Sequence, residues 1–170
     1  MTTRTLVLLR HAKAETPGDR PDVQRRLTKR GAADSAAAGS WLAAEGIRPD
    51  LVLCSPATRT RQTWHGVAMA LADADPAGPA PDVHYEAGLY DGGRTEVVDL
   101  LRAVPDGVGT VLVVGHNPTI SDVSALLRPD GNGAVDGLKT CGLAVHRAPG
   151  TWSTTEPGGM DLVTVHTARG

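Results

Sequence analysis

The sequence predicts an α/β fold in three layers, a mainly parallel central sheet with helices on both faces. Three observations carry this. Short apolar runs end at Arg10-His11, at Cys54-Ser55 and at Gly115-His116. These runs lack polar alternation, as parallel strands do when both faces of the sheet are covered. Stretches of helical length lie between them, and alternating strand and helix is the pattern of a parallel sheet. At 170 residues the chain is sized for one domain, 1–170, with a core of its own.

The first strand is Leu6-Val7-Leu8-Leu9-Arg10-His11-Ala12. It delivers Arg10 and His11 to the carboxyl end of a strand, where open α/β sheets bind their ligands. Residues 13–26 contain Pro17, Gly18 and Pro21 and read as a loop over that strand end. A helix follows with Thr28 as N-cap. It runs to about Glu45, turns Trp41 and Leu42 toward the core, and stops at Gly46. Asp50 to Cys54 is the second strand. Ser55-Pro56 reads as the next helix start, with Ser as cap and Pro at the first helical position, and that helix continues to about Ala72. Arg59 falls in its first turn and points back over the strand end, whereas Arg61 lies on another, solvated face.

Asp73 to Pro81 is a proline-rich loop. Val83 to Glu86 is a short strand with Glu86 at its end. Arg94 to Ala103 is a helix that presents Val97, Val98, Leu100 and Leu101, and Pro105-Asp106-Gly107 is a turn. Thr110 to Val114 is the third strong strand. It runs into Gly115-His116-Asn117-Pro118, which repeats the cap-then-proline arrangement, and a helix follows from Thr119 to about Leu127. The Gly- and Asp-rich stretch Pro129 to Gly142 reads as a mobile loop. Leu143 to His146 and Asp161 to His166 are two more strands, expected as a hairpin at a sheet edge, where the alternation Leu162-Val163-Thr164-Val165 is tolerated.

Composition narrows the function classes. Hydrophobic content of 41% and charged content of 21% are those of a soluble globular protein. Aromatic content is 3% with no Phe, so Leu, Val and Ala must fill the core. A formal net charge of −2 argues against a nucleic-acid or anionic-membrane surface. No apolar run approaches the ~20 residues of a membrane span, and the N-terminus lacks a signal-peptide pattern, so the expected location is the cytoplasm. Cys54 and Cys141 read as buried small hydrophobes rather than zinc ligands or a disulfide. Gly131-Asn132-Gly133 lacks the Lys-Ser/Thr of a phosphate-binding loop, and no carboxylate cluster suggests Mg²⁺. No metal or other cofactor is expected.

Two arginines, two histidines and helix N-termini at neighbouring strand ends would form a compact cationic site. Helix N-termini favour anions, and a guanidinium matches phosphoryl oxygens bidentately. The natural guest is a phosphoryl group, with the arginines supplying the neutralisation that a metal supplies elsewhere.

Arg10-His11 at the first strand end, Ser55-Pro56 followed by Arg59 and Gln62-Thr63, and Gly115-His116-Asn117-Pro118 resemble the histidine phosphatase superfamily, with its phosphoglycerate-mutase-like fold. The short chain, without room for a large cap, resembles the small SixA-type branch of phosphohistidine phosphatases. Two positions depart from the family pattern: Ala12 stands where Gly is usual, and Asp34 where Gln is common. The resemblance implies a covalent phosphohistidine intermediate on His11. Arg10, Arg59 and His116 would bind the phosphoryl oxygens, with Asn117 beside them as a further phosphate contact or a helix cap. Glu86 matches the family's acidic position and is the candidate proton donor, with Glu15 as the alternative. The expected partner is a phosphorylated protein or a small phosphorylated molecule as substrate, with no nucleic acid and no membrane. The competing functions are a small-molecule phosphatase or mutase and, from another class, a non-catalytic phosphate-binding module. His65, His84, His146 and His166 are read as structural or solvated, and Lys13, Arg20, Arg25 and Arg26 as a basic, mobile margin.

Overall fold

A computed structural model describes residues 2–131 and 137–170. The first strand, β1 (Thr3–Arg10), begins three residues earlier than its apolar run suggests. It is followed by α1 (Lys29–Ala44), β2 (Leu51–Cys54), α2 (Thr58–Ala74), β3 (Asp82–Tyr85), a short α3 (Gly88–Asp91) and α4 (Arg94–Arg102). Then come β4 (Thr110–Gly115), α5 (Thr119–Leu127), β5 (Gly142–Pro149) and β6 (Asp161–Thr167). They build one six-stranded sheet in the order β3-β2-β4-β1-β5-β6. β1 to β4 are mutually parallel, and β5 and β6 add an antiparallel hairpin beside β1. The fold is the expected three-layer α/β arrangement, with the hairpin at one edge.

The layers follow from alternation along each strand. Leu6 and Leu8 of β1, Leu51 and Leu53 of β2, and Val111 and Val113 of β4 share one face. They pack on Val97 and Leu101 of α4 and on Ile120, Val123 and Leu127 of α5. Val7, Leu9, Val52, Cys54, Leu112 and Val114 share the other face and pack on Ala38 and Leu42 of α1 and Val67 and Leu71 of α2. Successive side chains on a strand point to opposite faces, so runs of consecutive apolar residues supply both layers at once. Cys54 and Cys141 are buried free thiols, pushed up to about 12 by desolvation, in keeping with small core residues.

Register places the strand ends. Arg10 lies opposite Gly115, and Cys54 opposite Val114. The ladder continues past the strands: His11 N–H donates to Gly115 O at 3.0 Å, Ser55 N–H to Val114 O at 3.0 Å, and Glu86 N–H to Cys54 O at 2.9 Å. His11, Ser55, Glu86 and His116 therefore emerge along one edge of the sheet.

One helix start, that of α2, and the caps of α2 and α5 differ from the expectation. α1 begins as predicted, with Thr28 Oγ1 accepting from Gly31 N at 3.0 Å. α2 begins at Thr58 after an Ala57 cap, not at Pro56, and α5 begins at Thr119 after Pro118. Ser55 and Asn117 are thus not helix caps. Ser55 Oγ bonds both the nearby Ala57 N–H and the distant His116, and the Asn117 amide bonds Leu138 and Ser121. Of the 129–142 loop, residues 132–136 lie outside the described residues. No helix among the described residues is long and apolar enough to cross a membrane.

α1 and α2 approach closely because small residues meet between them. A Cβ placed on Gly39 would fall 2.5 Å from Val67 O and 2.7 Å from Ala70 Cβ. Gly39→Val should therefore push the helices apart and lower unfolding stability by about 1–3 kcal/mol. Urea denaturation followed by circular dichroism measures this, and an unchanged midpoint would contradict the close contact.

Candidate active site

His11 leaves β1 almost wholly buried, at 9% exposure. Its Nδ1 lies 2.7 Å from the carbonyl oxygen of Ala12. A carbonyl only accepts, so Nδ1 carries the ring proton and Nε2 holds the free lone pair. The Ala12 peptide is pinned in turn: its N–H donates to Thr63 Oγ1 at 3.0 Å, and that hydroxyl donates to Arg59 O at 2.7 Å. Burial pushes the His11 pKa down to about 4. The backbone bond opposes this, and the charges of Arg59, Arg10 and Arg25 add to it.

The His116 ring stands 5.3 Å from that of His11. Its Nε2 is 2.7 Å from Ser55 Oγ, which also accepts from Ala57 N at 3.3 Å. A hydroxyl has two lone pairs and one proton, so Ser55 Oγ serves the Ala57 N–H and either tautomer of His116 at once. Burial first, then Arg59 and His11, push the His116 pKa down to about 3. Both imidazoles are neutral at pH 7.

Arg10 donates through Nη1 to Leu138 O at 3.0 Å. Arg59, 6% exposed, donates Nη1 to Asp22 O at 2.8 Å and Nη2 to Asp22 Oδ2 at 3.1 Å. Buried polar groups are normally satisfied. Yet Arg10 Nε, Arg59 Nε and His116 Nδ1 are buried without a hydrogen-bond partner, three of five such atoms among the described residues. The two guanidinium nitrogens are unsatisfied donors beside the two imidazoles, an arrangement that fits an anionic acceptor.

The family follows from comparison. The histidine phosphatase superfamily (branch 1) matches residues 6–83. Rv1276c of Mycobacterium tuberculosis, an uncharacterised protein, is 38% identical over 168 residues that span 95% of this chain and all of that one. SixA from Nakamurella multipartitia superposes with a TM-score of 0.80 at 33% identity, covering 99% of this chain and 98% of that one. The chain belongs to the histidine phosphatase superfamily. SixA from Agrobacterium tumefaciens is also similar, with a TM-score of 0.74 at 27% identity over 96% of this chain and 97% of that one. These neighbours place this histidine phosphatase in the SixA-type branch and support a phosphatase of this kind.

Within this histidine phosphatase the other anticipated residues are distributed unevenly. Glu86 follows β3 directly and is half-buried, and its carboxylate makes no hydrogen bond or ion pair among the described residues. Glu15 instead lies 3.8 Å from Arg20 on the surface. Asn117 turns its amide inward: Nδ2 donates to Leu138 O at 2.8 Å, and Oδ1 accepts from Ser121 Oγ at 2.7 Å. Arg61 is exposed and lies over the Tyr85 ring at 4.6 Å. His146 is fully buried against Ser124 Oγ at 2.8 Å, whereas His65 and His84 are exposed and His166 stacks on Trp41.

The basic margin needs one correction. Arg25 is tied down, donating Nε to Asp22 Oδ1 at 3.0 Å and Nη1 to Glu15 O at 2.7 Å. Neither Asp22 nor Tyr90, whose hydroxyl donates to Asp22 Oδ2 at 2.7 Å, carries a local sequence signal. Hydrogen bonds from Tyr90, Arg59 and Arg25 outweigh desolvation and hold the Asp22 carboxyl at about 2. Nothing local marks an Asp in a Pro-rich loop as a partner of an arginine 37 residues away. Ser55 had a visible signal, its place directly after the second strand.

His11, His116 and His146 are held neutral at pKa values of about 4, 3 and 4, against an ordinary value of roughly 6.5. Between those values and 6.5 the unfolded chain binds more protons than the folded one. Stability is therefore full above about pH 6.5 and declines as pH falls toward 4. Denaturation midpoints at pH 7.5, 6 and 4.5 should fall in that order, and a constant midpoint would mean that the imidazoles ionise freely in the folded protein.

Proposed function

We propose that the protein is a metal-independent phosphatase that passes the phosphoryl group through His11 and acts on phosphohistidine in a protein or on a phosphomonoester. The observation that carries this reading is the pair of unpartnered guanidinium donors, Arg10 Nε and Arg59 Nε, with His116 Nδ1 also unpartnered, around a neutral histidine whose Nε2 is free. The phosphohistidine phosphatase name of the SixA relatives at 33% and 27% identity supports the substrate class. So does the absence of a large insertion among the described elements, which suits a substrate held on a protein surface.

His11 Nε2 attacks phosphorus, and the bond from phosphorus to the leaving oxygen or nitrogen breaks as Glu86 gives the leaving group a proton. Water then attacks the phosphohistidine, Glu86 takes its proton, and the phosphorus–Nε2 bond breaks to release inorganic phosphate. Each step meets a need that the residues fill. Nucleophilic attack requires an unprotonated nitrogen at neutral pH, which burial and the arginines secure. Charge developing on the phosphoryl oxygens requires preorganised donors in a low-dielectric site, which Arg10, Arg59 and His116 supply. The anchored Nδ1–H directs the phosphoryl to Nε2 and leaves the proton where Ala12 O accepts it.

Purified wild type in EDTA should hydrolyse p-nitrophenyl phosphate and a phosphohistidine peptide, with the peptide preferred, and should form an acid-labile phosphoenzyme. His11→Ala should abolish turnover and labelling together. Arg59→Ala should lower kcat by about 10²–10³. Full activity in His11→Ala would remove the covalent route. Preference for the small ester would move the substrate to a small molecule, and phosphate binding without turnover of either would favour a binding module.

A further inference from the structure

The 13–26 loop reaches the site through Asp22, which opens a single turn of 3-10 helix at Asp22–Gln24. Four hydrogen bonds from side chains converge on it. Its backbone oxygen accepts from Arg59 Nη1 at 2.8 Å and its Oδ2 from Arg59 Nη2 at 3.1 Å. The same Oδ2 accepts from the Tyr90 hydroxyl at 2.7 Å, and Oδ1 accepts from Arg25 Nε at 3.0 Å. Both terminal nitrogens of Arg59 are thus held from the loop side, and Nε–H is left buried without a partner. Tyr90 stands edge-on to the His116 ring, with centroids 5.6 Å apart and planes at 76°. One carboxylate therefore joins the loop, α2 and α3, and braces two of the side chains that carry unpartnered nitrogens.

We propose that Asp22 is a positioning residue of the phosphoryl site, holding the Arg59 fork by its two outer nitrogens and steadying His116 through Tyr90. This rests on the function proposed above. A long arginine side chain must otherwise lose rotamer freedom when the phosphoryl group arrives, and a fork ordered in advance avoids that loss. The carboxylate also carries a negative charge that opposes an incoming anion. That charge is half exposed, at 52%, and already shared with Arg59 and Arg25, so solvent and its partners screen it. Orientation of Arg59 is the larger effect.

The test compares wild type, Asp22→Ala and Asp22→Asn, each as the full chain. It uses p-nitrophenyl phosphate turnover, calorimetric titration with inorganic phosphate and thermal melting. Asp22→Ala should lower kcat/KM roughly tenfold to a hundredfold, the scale of a misplaced catalytic group. It should weaken phosphate binding and lower melting only modestly, because Arg59 Nη1 keeps the backbone oxygen of residue 22 as its acceptor. Asp22→Asn should recover part of both losses, because its amide oxygen still accepts one N–H. Tighter phosphate binding in Asp22→Ala would overturn the proposal by showing that the carboxylate competes with the anion. Unchanged turnover and binding, or losses that track a fall in melting temperature without recovery in Asp22→Asn, would overturn it as well. If wild type binds phosphate but turns over no phosphorylated substrate, the phosphatase reading fails, and the three phosphate titrations still decide the role of Asp22.

Discussion

The site depends on the parallel ladder that joins β2, β4 and β1. Evenly spaced hydrogen bonds carry the register past the last strand residues, so His11, Ser55 and His116 leave the sheet side by side. A slip of one residue in β1 would turn His11 to the opposite face and reverse which apolar side chains meet each helix layer. The core forbids that slip, because Leu6 and Leu8 fit against α4 and α5, and Val7 and Leu9 against α1 and α2. Packing of a Leu- and Val-filled core thereby sets the geometry of polar groups at its rim.

The electrostatic arrangement follows from where those strand ends lie. Burial disfavours the charged form of both imidazoles, and the neighbouring guanidiniums add to it, so positive charge collects on arginine while the histidines stay neutral. Such a concentration would be unfavourable without acceptors. Backbone carbonyls of Leu138 and Asp22 and the carboxylate of Asp22 provide some, and three nitrogens remain open. A site with part of its hydrogen-bonding capacity unfilled is poised for an anion, whereas a fully satisfied one would be a structural ion-pair network.

The two helix starts show how a correct local rule yields to tertiary context. Ser-Pro and Asn-Pro before a helix are sound capping signals, and at the equivalent position before α1 Thr28 caps as expected. Ser55 and Asn117 differ because both lie inside the site. An imidazole claims Ser55 Oγ, and the Leu138 carbonyl and the Ser121 hydroxyl claim the Asn117 amide. The same competition explains Arg25, which reads as a solvated loop residue until Asp22 and the Glu15 carbonyl are placed beside it.

The order of strands and helices, the two-faced core and the carboxyl-edge placement of Arg10, His11, Arg59, His116 and Glu86 were legible in the sequence. Each depends on local apolar pattern and on the general rule that parallel strands feed their ends to one side. Family motifs added the likeness that the comparisons bear out. The tertiary structure alone decided which nitrogen of His11 carries the proton, where Ser55 and Asn117 direct their polar atoms, and that Asp22 closes on Arg59. Asn117 meets Leu138 21 positions on, Asp22 meets Arg59 37 positions on, and Ser55 meets His116 61 positions on. Hydrogen-bond partners at such separations are chosen by how the layers pack, and no local pattern in the chain encodes them.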